Sequence, residues 1–445
     1  MLRTIIKREI QEYLKSLKFL IGLLITVVLV TVSTFISLNE YRQRHADYLA
    51  ACEETKNDIT YVRVYRSPEL LSVLVQGKDR RLGNQVEITS GSLPYGTHGY
   101  MGWYRSRHNR IMAGFEAVDF AFVVRVVLSL LVIFLAYNAV SEEKSNGTLK
   151  LALANNLPRD RLLLGKFIGG GIIVLVSLLI ATLLALLILI SDPVIALGRG
   201  EWIRLGGMFA VSALYLGSFY TLSLFVSVLV NRPATSLIVL LQVWVVLLII
   251  YPNLGLVLAR KLQKLPGQEE ITRQKEAAWA PYEKESKEIS NAFSNAFKNG
   301  GRPSTELSLR NDEIRSRRAE LQYQVDLECG NLFTGQAQLA RRISIFSPAV
   351  LYDEMMNRLA RTGMDQVERF LEAVPRHWRK HVERGKLLWK DREAFRKSKL
   401  PEFDYGRETL AESFKGIIYD AMILFLFGII FFGLAYNGFL RKDVR

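Results

Sequence analysis

The sequence has few of the residues and motifs that enzymes and nucleic-acid-binding proteins depend on. Only two cysteines and five dispersed histidines occur among its 445 residues. Neither H-E-x-x-H nor C-x-x-C is present, so no zinc or dithiol site is visible. The chain also lacks a G-x-x-x-x-G-K-[ST] phosphate-binding loop, since LLLGKFIGGG has no upstream glycine and no following Ser or Thr. We therefore predict no catalytic, cofactor-binding or metal-binding residue in this chain.

Long apolar runs are what the sequence has in abundance. Hydrophobic residues make up 50% of the chain and are concentrated in blocks. A helix needs about 20 mainly apolar residues to cross a bilayer, which predicts a mainly α membrane protein with six transmembrane helices. The first run is too long for a signal peptide and lacks a cleavage site, so we expect it to remain as an anchor. The predicted helices are Leu17–Leu38, Val118–Val140, Phe167–Ile190, Leu205–Val230, Ser236–Leu258 and Gly416–Leu440.

The distribution of lysine and arginine predicts the orientation. Basic residues concentrate in the N-terminal flank, in residues 141–166, in the NRPA turn and at the C-terminus. These four places fall on one side if the six helices alternate, and basic flanks mark the cytoplasmic side. We therefore expect both termini to be cytoplasmic and residues 39–117 and 259–415 to be extracytoplasmic. The net charge of +15 follows from this bias, and we predict no nucleic-acid partner because no binding module is visible.

The segments outside the apolar runs differ in character. Residues 1–16 have apolar positions at helical spacing, which favours a cytoplasmic amphipathic helix at the membrane surface over a simple basic flank. Residues 39–117 contain the β-like runs DITYVRVYR and NQVEITSG and predict a small α/β element. Residues 259–415 predict a helical domain, with Ser304 or Thr305 as an N-cap and a helix break near Pro375.

A basic stretch within this domain leaves two interpretations open. Between Arg376 and Lys399, ten lysines and arginines face three acids, and Trp378, Val382 and Trp389 share a helical stripe. The stripe could contact the outer leaflet or an anionic partner. Alternatively, the tryptophans pack inside the domain.

Residues 141–166 form an unusual connection between two membrane helices. The acidic pair Glu142–Glu143 stands where the second helix leaves the bilayer, Gly147 and Thr148 give a turn and a helix start, and LKLALANNL predicts a helix of about two turns. Pro158 and Arg159 are expected to end that helix before the chain re-enters the membrane. A simple reconnection needs only a few polar residues, so this short helix suits docking to a partner.

The loop resembles the cytoplasmic loop of type 2 ABC-exporter permeases, in a bacterial subgroup with large extracytoplasmic insertions. The family usually has proline where this sequence has Asn156, and the proline here stands two positions later. The architecture of an amphipathic helix followed by six crossings is also similar. The pattern is carried by Glu143, Gly147, Thr148, Leu149, Leu151, Leu153, Pro158, Arg159, Leu164, Gly165 and Lys166.

The resemblance implies that this loop docks on a cytoplasmic ABC ATPase subunit, which would hold the ATP and magnesium. It implies an exporter in the bacterial inner membrane, built with a second permease copy as a homodimer or with a related chain as a heterodimer. The large outer segments leave an alternative open: a mechanotransmission complex that acts on an extracytoplasmic protein and moves no substrate. A membrane-embedded enzyme is disfavoured because no catalytic site is visible.

Two residue pairs are predicted more specifically. Arg125 and Asp420 lie at similar depth in the second and sixth helices and could pair, or each could reach the interface separately. Cys52 and Cys329 both fall in predicted outer segments, where the surroundings are oxidising. They could form a disulfide or remain as buried thiols.

Overall fold

The computed structural model describes residues 2–56, 62–77, 85–88, 118–154, 158–298, 300–398 and 402–441. Helices dominate this part of the chain, and the mainly α prediction is confirmed. In chain order the elements are α1 (Leu2–Lys15), α2 (Leu17–Lys56), β1 (Val62–Tyr65), a 3-10 turn (Leu70–Val73), β2 (Gln85–Ile88), α3 (Phe120–Ser145), α4 (Thr148–Ala154), α5 (Arg159–Ile190), α6 (Arg199–Leu229), α7 (Pro233–Leu262), α8 (Gln268–Trp279), a second 3-10 turn (Ala280–Tyr282), α9 (Glu283–Lys298), α10 (Thr305–Ile343), α11 (Pro348–Leu359), α12 (Met364–Lys390), α13 (Arg392–Lys397) and α14 (Leu410–Arg441).

Six helices in the described part are long and apolar enough to span a membrane: α2, α3, α5, α6, α7 and α14. Each overlaps one of the six predicted runs, and most of the helices extend beyond the run. Helix α2 continues to Lys56 because many residues after the apolar run, including Glu, Arg, Gln and Ala, are themselves good helix formers. Hydropathy marks the part that can lie in the bilayer and not the end of the helix.

Helix α6 forms the centre of the membrane bundle. Its aromatic residues Tyr215, Phe219 and Tyr220 are buried, and it packs against α14, α3, α5 and α11. Helices α2 and α7 instead expose many apolar side chains, which is favourable where a helix faces lipid tails. We call the end of this bundle that carries residues 141–154 the loop end.

A helical unit made of α8, α9, α10 and α12 covers the end of the bundle opposite the loop end, and we call it the opposite-end unit. Helices α8 and α9 pack along α10, and α10 also contacts α7 and α12. Strands β1 and β2 form an antiparallel pair with Val64 opposite Val86, and these two valines pack against Tyr323, Phe370 and Trp378 of the unit. Both strands lie within the predicted β-like runs. Of the other residues in that predicted α/β element, 39–56 continue α2 and 70–73 form the 3-10 turn, while 57–61, 78–84 and 89–117 lie outside the described residues.

Helix α11 connects this unit to the spans. Its residues Tyr352, Met355 and Met356 are fully buried, in one apolar cluster with side chains of α3 and α6. The ring of Tyr352 stacks on Tyr215 at a centroid distance of 4.6 Å. The short helix therefore lies inside the membrane bundle although its neighbours α10 and α12 belong to the opposite-end unit.

Two predictions for the helical unit can be compared with its structure. Ser304 is the N-cap of α10, since its side chain accepts a hydrogen bond from the Leu307 amide, so this prediction is confirmed. The predicted break near Pro375 is wrong, because α12 runs through it. Pro375 is buried, and packing of the whole helix face holds the helix despite the hydrogen bond that proline cannot donate.

The tryptophan stripe on α12 packs inside the unit. Trp378 is buried in the cluster that holds Phe370 and Tyr323. The indole Nε1 of Trp389 donates to the Asp312 carboxylate at 2.7 Å, and its ring lies edge-on to Phe293. The expectation of lipid contact for these tryptophans is therefore wrong, and the alternative holds.

Candidate coupling site at the loop end

The connection between α3 and α5 is built by a sharp turn and a short helix. Helix α3 ends in the helical segment Ser141–Ser145, and Gly147 then adopts a φ of 71°. This left-handed conformation suits glycine, because other residues pay a steric cost for it. Helix α4 follows at once, and the Thr148 hydroxyl donates to the carbonyl of Glu143 at 3.3 Å.

Leu149 anchors α4 to the bundle. Its side chain is 1% exposed, and it belongs to an apolar cluster with residues from the loop ends of four spans. A buried leucine of this kind contributes on the order of 2 kcal/mol, so α4 is held against the spans. The cluster contains Val140, Leu149, Leu162, Leu163, Val228, Ala435 and Phe439, with Ile5 of α1 packed beside it.

The remaining described side of α4 faces away from the bundle. Leu151 is 66% exposed, and Thr148 and Lys150 are exposed beside it. The side chain of Leu153 and residues 155–157 lie outside the described residues. Pro158 stands directly before Arg159 as the N-cap of α5, so the proline begins the next helix.

Three charged side chains meet just beneath this loop. The Lys166 ammonium, at the start of α5, lies 2.7 Å from the Glu9 carboxylate of α1 and 2.9 Å from that of Glu143. Lys166 and Glu9 are buried, whereas the Glu143 side chain is 29% exposed. Lys166 thus ties α1, the end of α3 and α5 together. We call these residues the Lys166 triad.

The triad carries two negative charges and one positive charge when all its members are ionised. Burial raises the pKa of Glu9 above its ordinary value, and the nearby Lys166 ammonium opposes that shift. Removal of a charge from water is costly unless a partner compensates it. The position of Lys166 between two carboxylates therefore matters for the stability of the loop end.

Glycines on α5 allow α1 to approach closely. A Cβ at Gly165 would lie 2.6 Å from Ile5, and a Cβ at Gly169 would lie 2.8 Å from Glu9. Gly165 and Gly169 stand four residues apart, a spacing that lets two helices pack closely, and the helix packed against them is α1. At Gly170 a Cβ would lie 2.1 Å from the phenol oxygen of Tyr220, which donates to the carbonyl of Lys166 at 2.7 Å.

Two further basic residues cap helix ends at this site. The Lys144 ammonium donates to the carbonyl oxygens of Ser227, Val228 and Val230 at the end of α6. Arg159 donates to the carbonyl of Leu440 at 2.9 Å, at the end of α14. Cations at helix C-termini donate hydrogen bonds to the free carbonyl groups and are attracted by the negative end of the helix dipole. The loop is therefore tied to α6 and α14 as well as to α3 and α5.

The structure brings together several predicted coupling residues and adds others. Glu143 and Lys166 form an ion pair, Leu149 and Arg159 bind neighbouring helix ends, and Glu142 is exposed at the surface. Sequence reasoning missed Glu9, although its position on the amphipathic helix α1 was a usable signal. It also missed the capping role of Lys144.

The proposed Arg125–Asp420 pair is wrong. Arg125 forms an ion pair with Asp353 of α11, and Asp420 pairs with Arg341 of α10 at 2.6 Å. The insertion of α11 between the spans supplies the nearer partner for Arg125. Arg125 also lies in a π-helical turn, Val123–Leu128, whose carbonyl at Arg125 accepts a hydrogen bond from Tyr215 at 2.9 Å.

The Cys52–Cys329 disulfide is absent from the structure, and both thiols are free. Cys52 lies near the end of α2 and interacts with Tyr48. Cys329 is buried in α10 near Asp326 and Lys275, and burial raises the pKa of its thiol. The two thiols are unpaired, as in the alternative, but only Cys329 is buried, and Cys52 is partly exposed.

Comparison with known proteins gives the family. Residues 3–444 match the model of the ABC-2 family transporter proteins. The chain is also similar to the probable ABC transporter permease protein NosY of Pseudomonas aeruginosa, with 36% identity over 101 residues, or 22% of this chain and 37% of the relative. The NosY of Stutzerimonas stutzeri is 32% identical over 129 residues, or 28% of this chain and 45% of the relative.

These curated relatives align with this chain over less than half of their own length. The family match, in contrast, spans nearly the whole chain, and the six apolar helices agree with it. The resemblance to ABC permeases is thereby confirmed. The chain belongs to the ABC-2 transporter family and is a multi-pass transmembrane subunit of an ABC transporter.

Proposed function

We propose that this chain is the permease subunit of an ATP-driven exporter and that a separate ATPase subunit docks on α4. The ATP and magnesium belong to that subunit, and the permease itself is not an enzyme. The observation that carries the proposal is the Lys166 triad beneath α4, which links the loop to α1 and α5. The exposed Leu151 gives α4 an apolar contact for a partner.

The contacts of α4 suggest how motion would spread. ATP binding would close the ATPases and displace α4. Leu149 is packed against the ends of α3, α5, α6 and α14, so its displacement would push on all four helices. Because packed interiors are stiff, a small shift at this site is transmitted and not absorbed.

In this proposal the loop end and both termini face the cytoplasm, and the opposite-end unit faces the periplasm of a bacterium. The basic flanks of the spans support this orientation. A second permease copy, most simply of the same chain, would complete the pathway by two-fold symmetry. Lipid would cover the exposed apolar sides of the spans, and an extracytoplasmic protein could bind the helical unit.

Substitution of Leu151 by Glu tests the docking proposal. Tagged chain would be purified from membranes of its host in mild detergent, and co-eluting ATPase and ATP hydrolysis would be measured. We expect Leu151→Glu to lose both, because a charge replaces the apolar contact. The matched control is Leu332→Glu on α10, which is also exposed but lies in the opposite-end unit. Equal retention of the ATPase by both variants would refute docking on α4.

One observation favours the alternative of mechanotransmission. Helix α11 joins the opposite-end unit to the spans through buried contacts, so movement of the spans would reach the unit. An active ATPase complex that moves the unit while proteoliposomes accumulate no candidate substrate would support this alternative.

A further inference from the structure

A cavity of about 730 Å³ lies where the opposite-end unit meets the spans. This volume falls within the range of small-molecule sites. The cavity is lined by residues 75–77 and by residues of α3, α7, α10, α11 and the start of α12. Its apolar lining residues include Phe122, Leu256, Phe333 and Met356.

The lining of this cavity has the opposite charge to the rest of the chain. Five carboxylates and three guanidiniums line it, so its net charge is −2 in a protein of net charge +15. Two of the guanidiniums are paired, Arg125 with Asp353 and Arg341 with Asp420, and of the lining carboxylates Asp365 is also paired, with Arg358 outside the lining. The lining therefore favours a cation over an anion.

Glu368 contributes to this preference. It lines the cavity on α12 near Asp365, and burial, with the neighbouring acids Asp365 and Glu372, raises the pKa of its carboxyl. Among the described residues no lysine or arginine forms a salt bridge with it. A positively charged group in the cavity would compensate this carboxylate.

Gln76 supplies a second and independent indication of a ligand. It is 4% exposed and lines the cavity. Its Nε2 donates to the Ser37 hydroxyl at 3.1 Å and to the Glu40 carboxylate at 3.2 Å. These acceptors fix the amide orientation, and Oε1 is left without a hydrogen-bond partner in the described part of the chain. A buried acceptor without a hydrogen bond raises the free energy of the folded chain, and a ligand that donates to it would remove this cost.

We propose that this cavity binds a small organic cation that carries a protonated amine on an apolar body. The ammonium group donates to Gln76 Oε1 and lies within the field of Glu368. The apolar body contacts Phe122, Leu256 and Met356. The site adds a ligand class to the proposed transporter and depends on that proposal only for its role, because binding requires no ATPase.

Three probes of matched shape test this site: 2-phenylethylamine, the anion 3-phenylpropionate and the neutral 2-phenylethanol. Each would be titrated calorimetrically into the full chain in nanodiscs of uncharged lipid, without ATPase. We expect the amine to bind about tenfold more tightly than the other two, since a charge-assisted hydrogen bond distinguishes it. Gln76→Leu and Glu368→Gln should each weaken amine binding about fivefold to tenfold.

The control is Glu372→Gln, one turn further along α12, which removes an exposed carboxylate outside the cavity. It should change amine binding less than about twofold, as expected of a screened surface charge. Equal binding of 3-phenylpropionate, or amine binding unaffected by Glu368→Gln, would overturn the proposal. If Gln76→Leu melts at lower temperature, the Glu368→Gln result decides. A defect in ATPase docking would leave these titrations unchanged, so the two proposals can fail separately.

Discussion

Replacement of Lys166 by Met is the sharpest perturbation of the loop end. Methionine keeps the length and the apolar stem of the side chain but removes the ammonium that lies 2.7 Å from Glu9 and 2.9 Å from Glu143. The Glu9 side chain is only 9% exposed, so its carboxylate is left without compensation. Loss of one partner of a buried pair costs about 3–5 kcal/mol.

The two carboxylates should contribute unequally to this cost. Glu143 is 29% exposed, so water screens it and its share is about 1 kcal/mol or less. Glu9→Gln alone should cost only about 1 kcal/mol, because Lys166 and Glu143 remain as a neutral pair. The double variant Glu9→Gln with Lys166→Met should regain about 2 kcal/mol relative to Lys166→Met, since no unpaired buried charge is left at Glu9.

The assay is the unfolding of purified chain in detergent, by melting and by titration with SDS, for the four proteins of the double-mutant cycle. The expected order of stability is wild type, Glu9→Gln, the double variant, and Lys166→Met as the least stable. If Lys166→Met is no less stable than Glu9→Gln, or if the double variant falls below both single variants, the buried triad does not hold α1 and α5 together as described.

Three further predictions concern other parts of the structure. Gly170→Ala should destabilise the chain by about 1–3 kcal/mol by overpacking, whereas Gly171→Ala should be neutral or stabilising because a Cβ added there meets nothing within 4 Å. Melting temperatures that fall equally in both variants would contradict this. Arg125→Asp should lower stability by about 1–2 kcal/mol, and added Asp353→Arg should restore most of it; a swap that restores nothing would argue against the ion pair. Burial lowers the pKa of His377 from 6.5 to about 4. The opposite-end unit is therefore fully stable above pH 6.5, and its free energy of unfolding should fall by about 2 kcal/mol on acidification to pH 5. His377→Phe should reduce this loss.

The spans and the coupling loop could be predicted because their signals are local. An apolar run long enough to cross a bilayer is visible in one stretch of sequence, and the turn at Gly147 follows from the residue itself. Helix α11 was not predictable in this way. It has only 12 residues, too few for a span, and its burial depends on the surrounding helices. The sequence therefore offers Asp420 as a possible partner of Arg125, whereas in the folded chain Arg125 pairs with Asp353 of α11.

The Lys166 triad shows the same division. Glu143 and Lys166 were identified as loop residues, but their contact with Glu9 depends on the close approach of α1 to α5. That approach is permitted by Gly165 and Gly169, and helix packing over a long sequence separation is not encoded in any one segment. At Pro375 the local signal misleads instead, because the preference of proline to end a helix is overridden by packing.

Site-specific cross-linking tests the central claim most directly. A photoreactive p-benzoylphenylalanine would replace Leu151 on α4 or, as the control, Leu332 on α10, and the chain would be irradiated in membranes of its host. If the ATPase docks on α4, the photoreactive side chain at position 151 captures a protein with an ATP-binding cassette and the one at position 332 does not. Capture of that ATPase from Leu332 and not from Leu151 would contradict it.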